Sequence, residues 1–161
     1  MPMTIESTAF ACGDRIPSQY TGEGQDLSPP LRWHGAPQVT REFALICDDP
    51  DAPCTEPWVH WVIYNLPADT ESLPEGIPRD GELQSPVPAK QGRNSWPDGE
   101  NVGYLGPMPP CSHGLHHYHF RLYALDTPLN LAPGLDKARL LEVISEHVLA
   151  TAEITGTYER E

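Results

Sequence analysis

Basic residues are scarce in this chain: ten Lys and Arg stand against 23 Asp and Glu, for a formal net charge of −13. Nonspecific binding to nucleic acid needs clustered Lys and Arg to neutralise phosphates, and no such cluster occurs. The same field disfavours adsorption to an anionic membrane surface. An anionic ligand therefore has to be held by local donors against a repulsive background. Long apolar runs are missing too; none approaches the roughly 18 residues that span a bilayer. The opening MPMTIESTAF has neither a basic nor an apolar region, so no signal peptide is read there. Cys12, Cys47, Cys54 and Cys111 make no CxxC pair and no zinc spacing. They read as free thiols of a cytoplasmic protein, with two disulfides left open for an exported one. No repeat or break in composition marks a second domain, and 161 residues suffice for a single domain, 1–161, with a real core.

Proline is abundant instead. The 19 prolines are about twice the usual share and lie between apolar β-runs, which implies ordered turns and not disorder. Residues 4–10 alternate weakly and predict a first strand, and 31–33 a short extended piece. REFALIC (41–47) and WVHWVIYNL (58–66) are apolar almost throughout, as strands buried on both faces are. Strict alternation puts His60 on one face with Val62 and Tyr64, and Val59, Trp61 and Ile63 on the other. The long segment 67–92 holds five prolines and is read as functional or ordered by short elements. Asp136 can cap a helix over 137–149, with Leu140, Leu141, Ile144 and Val148 as its apolar stripe. Residues 151–158 predict a last strand. The fold class is mainly β, with 43–47, 59–64 and 118–125 as central strands of one core.

The most informative stretch is GYLGPMPPCSHGLHHYHFRLYALD, 103–126, which holds four of the seven histidines. From His116 its side chains alternate: His116, Tyr118, Phe120, Leu122 and Ala124 share one face, while His117, His119, Arg121 and Tyr123 share the other. An imidazole and a phenol thus stand at the mouth of a strand above an apolar floor, the outline of a pocket entrance.

Three blocks, in order, resemble the phosphatidylethanolamine-binding protein family, in its prokaryotic Raf-kinase-inhibitor-like branch. They are Leu27-Ser28-Pro29-Pro30-Leu31-Arg32-Trp33; Asp49-Pro50-Asp51-Ala52-Pro53 with His60-Trp61-Val62-Ile63-Tyr64-Asn65-Leu66-Pro67; and Gly103-Tyr104-Leu105-Gly106-Pro107-Met108-Pro109-Pro110 with His116-His117-Tyr118-His119-Phe120. A departure is Met108, where this branch often has Cys. The resemblance implies an antiparallel β-sandwich with peripheral short helices and one C-terminal helix. It also implies a pocket for phosphate-type anions, which in eukaryotic members include phospholipid headgroups, formed here by Asp49, Trp58, His60, Pro110, His116 and Tyr118. No cofactor and no metal is expected. A kinase or protease partner and a homodimer are further expectations that the resemblance carries.

Each residue also has a plainer reading. Asp49 suits an Asx-turn ahead of Pro50, and His60 a satisfied core imidazole. A metal triad from HGLHHYH is disfavoured because His117 and His119 point away from His116. The acidic loop lacks the twelve-residue calcium pattern. A hydrolase using Asp49, His60 and His116 is the alternative to a non-catalytic binding module. It needs a nucleophile beside a base, and Cys111 and Ser112 near His113 form no recognisable elbow. Within a binding module, ionised Asp49 orients an imidazole. Protonated His60 or His116, Tyr118 and backbone donors then hold the anion.

Overall fold

The three apolar runs become neighbouring strands, as their patterning predicts. The computed structural model describes residues 2–99 and 101–161. Its elements are β1 (Thr4–Glu6), β2 (Leu31–His34), β3 (Glu42–Asp49), β4 (Trp58–Pro67), β5 (Ser72–Leu73), β6 (Glu82–Leu83), β7 (Ala89–Gln91), β8 (His116–Leu125), α1 (Lys137–Ile144) and β9 (Val148–Tyr158), with a 3-10 turn at Ser18–Tyr20. A six-stranded sheet has the order β6-β7-β4-β3-β8-β9 and a three-stranded sheet the order β1-β2-β5. Every named pairing is antiparallel. The fold is mainly β with one α-helix, as expected.

Alternation along β3, β4 and β8 feeds two cores and not the single one expected. Phe43, Leu45, Cys47, Trp61, Ile63, Phe120 and Leu122 face the smaller sheet and pack with Ile5, Leu31, Trp33 and Leu73. Ala44, Ile46, Val62, Tyr64, Tyr123 and Leu125 pack on the other face, under Leu140 and Ile144 of α1. Each such side chain stabilises by about 1.5–3 kcal/mol when fully buried, so the central strands are anchored from both sides. Segment 67–92 is ordered by β5, β6 and β7, three short strands that add to both sheets.

The first strand is shorter than the pattern predicts, and the helix ends earlier. Asp136 caps α1, its carboxylate accepting from the Arg139 amide at 2.8 Å, but α1 stops at Ile144. The His147 carbonyl is taken by the Asp126 amide and its Nδ1 by the Asp126 carboxylate. The chain then turns into β9, and Val148 pairs with Leu125. Val148 is therefore an exposed strand residue and not the last position of a helical stripe.

Candidate binding site

The site is built where β3, β4 and β8 end together. Asp49 closes β3 and is buried. Its Oδ1 accepts from the Asp51 amide at 2.8 Å, which is the Asx-turn that Asp-Pro-Asp favours. Its Oδ2 accepts from His116 Nδ1 at 2.6 Å. Asp49 thus serves both readings, one with each oxygen. Since a carboxylate only accepts, His116 is held as the Nδ1–H form or as imidazolium.

His60 reaches the site by a bulge. Cys47 pairs with Trp61 and Asp48 with Val59, which leaves His60 as an extra residue in β4. Beyond the bulge the alternation slips, so Val59 packs with Val62 and Tyr64 on the helix side while His60 lies against Tyr118, with ring centroids 5.1 Å apart. This corrects the expectation that His60 shares a face with Val62. A bulge re-aims a side chain in this way, often beside functional sites.

His60 is also the wrong residue to carry charge. Its Nδ1 donates to the Leu105 carbonyl at 2.7 Å, and burial lowers its pKa from 6.5 to about 4, against the opposing pull of that carbonyl and Asp49. The ring is neutral at neutral pH. The expected cationic role does not fall to His60; His116 Nε2 lies 2.7 Å from Nδ1 of His113. A chain Asp49–His116–His113 therefore runs from a buried carboxylate to an exposed imidazole. Sequence reading treated His113 only as a neighbour of a nucleophile. The signal for its role lies in the HGLH spacing beside Gly114, whose φ of +98° and that of Ser112, +60°, fold the turn back on the strand.

Tyr118 is buried, and burial together with the Asp49 carboxylate pushes its phenol pKa far up. It stays protonated, so its hydroxyl can donate. Trp58 packs edge-on against Trp96 at 5.4 Å, and Trp96 in turn against His60 at 5.1 Å. Residues 92–99 and 101–106 approach β4 through the pairs Ser95 with Val59 and Leu105 with His60. Gly106 is required there, because a Cβ would stand 2.2 Å from the Tyr20 carbonyl oxygen.

All six expected residues, Asp49, Trp58, His60, Pro110, His116 and Tyr118, line one cavity of about 280 Å³, joined by Trp96, Met108 and the exposed Cys54. His117 turns outward to Asp51, at 2.8 Å, and His119 lies by Thr155 and Glu153. No Lys or Arg lines this cavity. Among the described residues no group of three or more His, Cys, Asp and Glu is placed to hold a metal.

Comparison with known proteins agrees with this fold. Residues 6–159 match the phosphatidylethanolamine-binding protein family. The chain belongs to the phosphatidylethanolamine-binding protein family. A UPF0098 protein of Methanothermobacter thermautotrophicus is 48% identical over 158 residues, 98% of this chain and 99% of that protein. Two crystal structures share the fold along nearly the whole chain. A phosphatidylethanolamine-binding protein homologue from Chlamydia trachomatis has TM-score 0.86 and 36% identity, covering 99% of both chains. YbcL of E. coli has TM-score 0.89 and 33% identity, covering 100% of both. Family membership supports a binding module in general. No helix among the described residues is long and apolar enough to cross a membrane.

Proposed function

We propose that this chain is a single-domain, non-catalytic binding module whose cavity takes a small phosphate-type anion, free or as a headgroup. The observation that carries the reading is the Asp49–His116–His113 chain, with Asp49 and His116 on the same cavity wall as the protonated Tyr118 hydroxyl. Both oxygens of Asp49 accept a hydrogen bond, and its charge supports an imidazolium. His116 contributes positive charge, its two ring nitrogens being engaged with Asp49 and His113, and Tyr118 supplies a hydroxyl donor to an oxyanion; a charged hydrogen bond of this kind is worth about 1.5–3 kcal/mol. The hydrolase alternative is disfavoured by the same distance. In a nucleophile–base pair His116 Nε2 would face a hydroxyl or thiol, and here it faces His113.

An anion favours the protonated form of the His113–His116 pair, so affinity rises as pH falls. Dimethyl phosphate is the clean probe, since its charge is constant across that range. NMR titration of the wild type and of His116→Ala at about pH 5.5 and about pH 8 tests the reading; the substitution is expected to cost roughly 1.5–3 kcal/mol at the lower pH. Equal affinities in all four titrations would leave the site without this role. Turnover of phosphomonoesters or carboxyl esters that vanishes in His116→Ala would establish the enzyme instead. Inhibition of a kinase or protease partner and a homodimer belong to the same proposal and rest on the resemblance; a cytoplasmic location belongs to it too and rests on the cysteines. The four free thiols suit a reducing compartment, and a monomer mass by light scattering at high micromolar concentration would reject the dimer.

A further inference from the structure

A second cavity, of about 580 Å³, lies against the first and shares Trp96 and Met108 with it. Its size falls within the ordinary range for ligand sites, about 300–1,000 Å³, whereas the His cavity is just below that range. The His cavity alone therefore fits a headgroup-sized fragment. The second cavity carries Arg79, the one Lys or Arg lining either. The Arg79 guanidinium is fixed: Nε donates to the Tyr104 carbonyl at 2.9 Å, and Nη2 to the Asp26 carbonyl and carboxylate at 3.3 Å. Asp26 is held in turn by the Gly106 amide, which donates to Oδ1 at 2.7 Å, on a left-handed backbone with φ of +60°.

The pairing decides what this cavity can take. The Asp26 carboxylate offsets the guanidinium, so a second anion meets the carboxylate and a cation meets the arginine. A neutral group that both donates and accepts satisfies each partner, and hydroxyls do so. The Asn101 amide beside them has the same dual character. We propose that the cavity around Arg79, Asp26 and Asn101 is a subsite for the hydroxyl-bearing part of a soluble phosphorylated polyol whose phosphate occupies the His cavity. It rests on the phosphate reading of that first cavity.

Titration of the full chain with inorganic phosphate, propyl phosphate and glycerol 3-phosphate tests it, since the last two differ in hydroxyls and not in carbon number. The wild type is expected to bind glycerol 3-phosphate about 5- to 30-fold more tightly than propyl phosphate, the worth of one or two neutral hydrogen bonds. Arg79→Gln should bring the two esters within about two-fold of each other while leaving inorganic phosphate unchanged. Because Arg79 also holds the Tyr104 carbonyl, Asn101→Ala is the second variant, and it should reduce the same ratio. Equal binding of the two esters by the wild type, or an advantage that both variants retain, overturns the subsite. Failure of inorganic phosphate to bind overturns the reading of the His cavity instead. Sedimentation with phosphatidylglycerol vesicles separates a lipid headgroup from a free ligand: the chain should stay in the supernatant, and co-sedimentation overturns the choice of a soluble polyol.

Discussion

Burial holds the His60 pKa at about 4, below its ordinary 6.5, with Nδ1 bonded to Leu105. A base whose folded pKa is depressed takes up protons first in the unfolded state. Its contribution to stability is therefore complete above 6.5 and is lost as pH falls from 6.5 towards about 4. The loss amounts to about 3 kcal/mol by that linkage. His60→Gln, which keeps a donor for Leu105, should flatten the acid limb of stability between those pH values; denaturant titrations across the range check it. An unchanged acid limb would mean that His60 is not buried neutral. Asp49 permits a different test. In Asp49→Asn the Asx bond to Asp51 survives, but an amide no longer dictates the proton on His116 Nδ1. Nitrogen NMR of the ring should show one protonation pattern at Nδ1 in the wild type and a mixture in the variant.

At the scale of elements, loop 103–110 closes the pocket by leaning on segment 18–26. Gly106 stands where a Cβ would meet the Tyr20 carbonyl at 2.2 Å and the Asp26 carboxylate at 2.8 Å. Backbone on the other side cannot swing aside as a flexible side chain does. Gly106→Ala should cost about 1–3 kcal/mol, as overpacking does, and should weaken phosphate binding through displacement of Leu105 from His60. A fall in the urea midpoint at unchanged slope checks the first effect. The bulge at His60 is the other decisive feature of an element. Without that extra residue β4 would carry the imidazole towards α1, and the Asp49–Tyr118 end of the cavity would lack a wall.

Across the whole molecule, the net charge of −13 acts on folding and on binding alike. Like charges repel in the compact state, and salt screens them over about 10 Å at ~0.1 M. Raising potassium chloride from a few millimolar to about 0.15 M should therefore raise Tm. A fall in Tm would show that attractive surface pairs, such as Arg32 with Glu6 or Arg121 with Glu153, outweigh the repulsion. The six-stranded sheet should be the last unit to open, since β3, β4 and β8 are covered on both faces.

The continuous apolar runs of 41–47 and 58–66 and the alternation of 116–125 were enough to determine central β-strands, because burial on one or both faces is written directly in side-chain polarity. Asp136 likewise announced a helix start through its own carboxylate. The three blocks around Trp33, Asp49 and His116 were enough to name the residues that meet in the cavity. The face on which His60 stands was decided by tertiary structure, since a bulge depends on how β3 registers against β4 and not on any residue of β4 alone. The same holds for the end of α1: residues 145–149 continue a helical stripe locally, yet the open edge of β8 and the Asp126 contacts draw Val148 into a strand. His113 is the clearest case. The HGLH spacing and Gly114 allow the turn, but the 2.7 Å between His113 and His116 exists because that turn folds back once β8 is pinned in the sheet.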